Sequence, residues 1–214
     1  MRIPLRPPLT RRDWLVVAAA VLLLLLLAHG LEGQDPMPFD DQLLRWLGLH
    51  LKGVASAVLV QIYRMSGVGF TGILVLAAVI YLIARRWWRD LGLLVMATGG
   101  ILAIIDLWLK PCFDRARPHE RLIVVDGRSF PSGHAAGSIC FYLAMVAILS
   151  FHHPRLRLPL SIGAVAWISL VWLSTLAARA HWPTDLLAGG AVGVAWLTIC
   201  LAYWRTLRAP LPHS

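Results

Sequence analysis

The chain has no asparagine and only three cysteines in 214 residues. Lacking Asn, it offers no acceptor for N-glycosylation. Cys112, Cys140 and Cys200 share no recognisable spacing, so neither a disulfide framework nor a zinc site follows. Charge is short as well: 14% of residues are charged against 58% hydrophobic, and mean hydropathy is +0.70. An ordinary soluble domain carries about 25% charged residues. A chain this poor in charge cannot cover a water-facing surface, which points to an integral membrane protein. Acidic residues are the scarcest, 11 against 20 Lys and Arg, for a net charge of +9. Nucleic acid, anionic lipid and a phosphorylated substrate would each suit that excess. No repeat, low-complexity tract or linker interrupts the chain, so residues 1–214 read as a single membrane-embedded domain.

A bilayer core needs roughly 20 apolar residues per helix. Such runs occupy Trp14–Leu31, Met65–Ala84, Leu91–Leu109, Ala135–Phe151, Leu158–Ala178 and Leu186–Trp204. The expected fold is therefore all-α, a polytopic bundle of six transmembrane helices with both termini on one side. Asp41–Tyr63 mixes Leu, Val and Trp with Arg45, His50 and Lys52 at helical spacing, as an interfacial helix would. Arg2, Arg6, Arg11 and Arg12 precede the first span, and Glu32, Asp35, Asp40 and Asp41 follow it. The positive-inside rule puts both termini in the cytoplasm, with the first span kept as an anchor rather than cleaved as a signal peptide. Arg outnumbers Lys 18 to 2 in a compact chain, which suggests a bacterial cell (inner) membrane.

On that topology one extracytoplasmic loop, Lys110–Pro131, holds Lys110, Arg115, Arg117, Arg121 and Arg128 beside Asp114, Glu120 and Asp126. Taken alone, this is equally an exposed loop of surface ion pairs or a set of cations converging on phosphate. The loop ends in Phe130-Pro131-Ser132-Gly133-His134 at the start of a span. Free N–H groups of a first helical turn form an anion site, although ordinary capping beside a solvent-facing His reads the same way. The last loop on this face reads Arg179-Ala180-His181-Trp182-Pro183-Thr184-Asp185. With Pro183 opening a helix, His181 and Asp185 stand one turn apart, a rise of about 6 Å. Asp185 can then fix one ring nitrogen of His181 and leave the other nucleophilic. The bland counterpart is a capping Asp beside an interfacial His and Trp. Asp106, one turn before Lys110, reads as a salt-bridge partner that orients it.

Together the three stretches resemble the type 2 phosphatidic acid phosphatase family, which also includes the vanadium haloperoxidases. Lys110, six residues, then Arg117-Pro118 match its first motif, and Pro131-Ser132-Gly133-His134 its second. The resemblance runs from about the interfacial helix to the last span. The third motif departs from the pattern. Where the family has Ser-Arg six residues ahead of the His, this chain has Ser174-Thr175, and Arg179 is the nearest replacement cation. The resemblance implies a lipid phosphatase. His181 would attack phosphorus to give a phosphohistidine, Asp185 would hold its tautomer, and His134 would protonate the leaving oxygen and then activate water. Lys110, Arg117, the Ser132 and Gly133 amides, and Arg179 would bind phosphate.

The family's bacterial members act on undecaprenyl diphosphate, phosphatidylglycerophosphate, phosphatidic acid or lipid A phosphates. The expected partners are thus a lipid phosphate and the membrane, with no nucleic acid. No cofactor is expected, and no metal, since Asp106, His134, His181 and Asp185 lack metal-ligand spacing. Two rivals stand beside this reading: transfer of the phosphoryl group to a second lipid, and a binding or structural protein whose site has decayed. Gly67-Val68-Gly69-Phe70-Thr71-Gly72 fits a dinucleotide fingerprint but opens an apolar span with no strand before it, so it reads as helix packing or a bend. Gly133, Gly137, Gly189 and Gly193 read as small-residue contacts between spans.

Overall fold

The computed structural model describes residues 9–33 and 36–208. Arg2, Arg6 and Asp35 of the topology argument, and the outermost residues of the 1–214 domain, lie outside them. Every regular element among the described residues is helical. They run α1 (Arg11–Gly33), α2 (Pro38–His50), α3 (Val54–Met65), α4 (Val68–Ala84), α5 (Trp88–Leu102), α6 (Lys110–Phe113), α7 (Gly133–His152), α8 (Arg157–Ala177) and α9 (Pro183–Arg208). A π-helical segment, Ala103–Leu109, joins α5 to α6 without a break in direction. Pro111 explains that loosening, because its ring removes a backbone donor and crowds the carbonyl one turn back.

Five of these rods are long and apolar enough to cross a membrane. A sixth forms if α3 and α4, bent by 47° at their junction, count as one span. The chain is a multi-pass membrane protein. The Asp41–Tyr63 stretch divides into α2 and α3 at Gly53, whose φ of 58° and ψ of −129° suit only glycine. The glycine cluster at residues 67–72 marks the bend: Gly67 caps α4, while a side chain on Gly69 or Gly72 would meet only open space.

The bundle is built around α7, which packs on α5, α8 and α9, with α1 laid against α9. Small residues let α7 and α9 meet closely, and Ala135, Ala136, Ala144, Ala188 and Ala202 are fully buried. A side chain on Gly189 would begin 2.2 Å from the Ser132 carbonyl oxygen, and one on Gly193 would begin 3.0 Å from Ala136 backbone. Gly137 faces open space, so only Gly133 of the α7 pair lies near another segment. Gly189→Ala therefore drives backbone against backbone at the head of α7. We expect at least about 1–3 kcal/mol of destabilisation and a matching fall in activity, read by thermal unfolding and turnover.

The end of the bundle away from the loops is tied by buried Asp90. It accepts the Trp204 indole N–H at 2.9 Å, lies 2.8 Å from His152 Nε2, and pairs with Arg208. Arg205 reaches Asp13 at 2.6 Å, joining the start of α1 to the end of α9. These contacts hold the far ends of α5, α7 and α9 together, and so fix how their opposite ends face one another.

Candidate active site

At that opposite end, α6, the head of α7 and the turn before α9 converge. Ser132 caps α7, its hydroxyl accepting from the Ala135 amide at 3.4 Å. Its own amide donates to the Asp185 carbonyl at 2.9 Å, so it is already engaged and not available to a phosphate. The first-turn amides of Gly133 and His134 have no acceptor within the helix. Lys110 donates to Asp106 at 2.6 Å, the orienting bridge expected from their spacing. Its Nζ sits 4.0 Å from where a Gly133 side chain would start.

His181 is buried between two partners. Its Nδ1 lies 3.4 Å from Asp185 Oδ2, and its Nε2 lies 3.1 Å from an Arg117 guanidinium nitrogen. Arg117 can only donate, so Nε2 must be the unprotonated acceptor and Nδ1 must carry the proton toward Asp185. That tautomer leaves a lone pair on Nε2. Burial pushes the imidazole pKa below its ordinary value, with the nearby Arg117 and Lys110 acting the same way and Asp185 opposing them. The ring is accordingly neutral at pH 7.

His134 faces this pair from α7, with ring centroids 6.3 Å apart. Tyr63 from α3 stacks on its other side at 5.0 Å. His134 Nε2 is buried and meets no protein partner, leaving a polar atom for a ligand to satisfy. Arg117 also donates to the carbonyls of Ala180 at 2.7 Å, Gly127 at 3.0 Å and Arg128 at 3.2 Å. It thereby pins the loop to the turn that carries His181.

Arg179 is not brought to this cluster. It has a left-handed backbone, φ 52°, and its guanidinium pairs with Glu120. The side chain runs toward α2, where Gly48 makes room: a side chain there would begin 2.8 Å from the guanidinium. Arg179 and Glu120 border a cavity of about 270 Å³ beside α2 and the end of α8, whose lining includes neither histidine. Thr175 is buried with its hydroxyl on the Val171 carbonyl.

Three residues absent from the sequence-based site complete it. Arg115 donates to Asp185 Oδ1 at 2.6 Å, to the Thr184 hydroxyl at 2.8 Å and to Asp40 Oδ2 at 2.6 Å. Asp40, on α2, also accepts the Thr184 amide at 2.9 Å and its hydroxyl at 2.8 Å. In sequence, Arg115 was one of five loop cations and Asp40 one acid in the flank of the first span. Nothing local set either apart. Among the described residues, no group of three His, Cys, Asp or Glu side chains is placed to hold a metal ion.

No curated protein sequence matches the chain. Its fold is similar to that of a crystal structure described as the first transmembrane PAP2 type phosphatidylglycerolphosphate phosphatase from Bacillus subtilis. The two superpose with a TM-score of 0.80 over 90% of this chain and 97% of the other, at 22% sequence identity. A family model, the PAP2 superfamily, matches residues 87–209. That stretch is more than half of the chain and carries Lys110, Arg117, His134, His181 and Asp185, and the chain belongs to the PAP2 superfamily.

Proposed function

We propose that the protein is a metal-independent lipid phosphatase acting at the extracytoplasmic face of a bacterial cell membrane. The observation that carries this reading is the state of His181: a buried, neutral imidazole with its proton held on Nδ1 and its Nε2 lone pair beside a guanidinium. In-line attack by Nε2 on phosphorus would form a phosphohistidine as the bond to the leaving oxygen breaks. His134 would protonate that oxygen and then, as a base, activate water for the second step. Lys110, Arg117 and the Gly133 amide would stabilise charge on the equatorial oxygens. Arg117 can do so by swinging one N–H from Nε2 to an incoming phosphate oxygen, because both are acceptors at the same place. The substrate would be a lipid phosphate monoester or diphosphate, drawn from the bilayer around the site. The Bacillus subtilis protein with this fold is described as a phosphatidylglycerolphosphate phosphatase. That lipid therefore heads the candidates, with phosphatidic acid and undecaprenyl diphosphate beside it.

The test is phosphate release by the purified protein from these three lipids, with and without chelator. Fixed cations would already meet the phosphate, so turnover should persist in excess EDTA and fall with vanadate, a mimic of the pentacoordinate phosphorus of in-line displacement. Loss of turnover in EDTA, restored by a divalent ion, would overturn the metal-independent mechanism. No release from any of the three lipids would overturn the function.

A further inference from the structure

His181 is oriented by polar contacts on both ring nitrogens, Asp185 on one side and Arg117 on the other. His134 must serve the proposed reaction as acid and then as base, yet its Nε2 is buried and meets no protein partner. A histidine ring can turn about two side-chain bonds, whereas a general acid has to aim a nitrogen at the leaving oxygen. Something other than a hydrogen bond to Nε2 must hold it. What lies against the ring is Tyr63, with centroids 5.0 Å apart and planes 27° from parallel. Stacking engages the face of an imidazole and not its in-plane nitrogens. It therefore fixes the plane of the ring while keeping Nε2 uncommitted.

Tyr63 is itself firmly seated. Leu59 and Tyr63, one turn apart, are the buried residues of α3. Tyr63 packs with Ala178 and Ala180, both fully buried, in the turn that leads to His181. Its carbonyl accepts the Ser66 hydroxyl at 3.0 Å, just where α3 bends into α4. One side chain thus reaches from the ring of His134 to the backbone that carries His181. It comes from α3, ahead of residues 87–209 that match the family model. Its phenol also stands within electrostatic reach of Arg117, so a role for the hydroxyl has to be told apart from a role for the ring.

We propose that Tyr63 is a positioning residue of the phosphatase reaction, its ring holding the His134 imidazole in the plane from which Nε2 meets the leaving oxygen. As the P–O bond breaks, its electron pair stays on the lipid oxygen, and the proton that oxygen takes comes from His134. A ring free to tip delivers that proton poorly. The proposal rests on the lipid phosphatase reading and deepens it.

The test uses the full chain in lipid nanodiscs and two phosphate esters. One is whichever lipid phosphate the wild type turns over, whose leaving oxygen needs a proton. The other is 4-nitrophenyl phosphate, whose nitrophenolate departs without one. Tyr63→Leu should lower kcat/KM on the lipid roughly 10- to 100-fold with KM within about threefold, the scale of loss for a misaimed reacting group. On 4-nitrophenyl phosphate the same variant should stay within about threefold of wild type, because no general acid is called on. Tyr63→Phe keeps the ring and drops the hydroxyl, and should stay within about threefold on both esters. Equal losses on the two esters would make Tyr63 a packing residue and overturn the proposal. A Tyr63→Phe as damaged as Tyr63→Leu would overturn it in favour of the hydroxyl, and a silent Tyr63→Leu would remove the role altogether.

Where Tyr63→Leu fails to fold, Tyr63→Met fills the space without a flat ring and takes its place under the same expectations. If neither folds while Tyr63→Phe does, Tyr63 serves packing alone and the positioning role fails. No phosphate release by the wild type from any lipid would overturn the phosphatase reading and this role with it. An active wild type with a contrary variant would overturn the role of Tyr63 alone.

Discussion

His181→Ala is expected to abolish turnover, by about a thousandfold or more, while leaving the protein folded. In the proposed reaction the ring supplies the lone pair that attacks phosphorus, and among the described residues no other side chain holds an unprotonated nitrogen against Arg117. Removal of a covalent nucleophile costs far more than removal of one binding contact. Rapid acid-free quenching of wild type with a labelled lipid phosphate should trap label on the protein, stable to base and lost in acid. The alanine variant should trap none. Asp185→Asn should impair without abolishing, because an amide can still accept but no longer balances the cationic ring. The pH dependence follows from the same burial. A histidine whose pKa is held down is neutral, and nucleophilic, at every pH above that lowered value. Activity should therefore persist below the ordinary histidine midpoint of about 6.5 and disappear only as pH falls through the lowered one. An acid limb of kcat/KM at or above 6.5 would contradict the buried neutral ring.

The approach of His181 to Asp185 was legible because it is local. His181 and Asp185 lie one turn apart across a proline that fixes where α9 begins, so helical rise alone sets their approach. Lys110 and Asp106 were legible for the same reason. The contacts of Arg115 with Asp185 and Asp40 were not, since they join residues 70 and 75 positions apart in the chain. Which of five loop cations turns inward depends on tertiary packing, and no periodicity reports it. Arg179 illustrates the converse. Two residues from His181 in sequence, it is carried away by a left-handed turn that sequence does not announce at a non-glycine position. The interfacial stretch was legible as helix, but the hinge at Gly53 divides it, and that division gives α2 the freedom to lay Asp40 against the start of α9.

The second large effect separates two arginines that composition treats alike. Arg117 is buried, with one guanidinium nitrogen shared between His181 and Ala180 and the others on Gly127 and Arg128. Four of its five N–H groups are thus committed in this state, leaving one for a phosphate and a second released when phosphate displaces it from Nε2. Two charge-assisted contacts at about 1.5–3 kcal/mol each correspond to a loss of roughly 10²- to 10⁴-fold in kcat/KM for Arg117→Ala. The loop anchors are lost too, so thermal stability should fall with it. Arg117→Lys restores a point charge but not the fork, and should recover only a small part of the loss. Arg179→Ala, by contrast, breaks only an ion pair to an exposed Glu120 and should leave kcat/KM within about threefold of wild type. The two alanine variants assayed on one lipid discriminate sharply. Equal losses would place both guanidiniums on the phosphate, and would require the turn at residues 178–182 to rearrange when substrate binds. A large loss for Arg117 with a silent Arg179 would mean that the binding set is Lys110, Arg117 and the head of α7. The charge expected at position 175 would then have no successor.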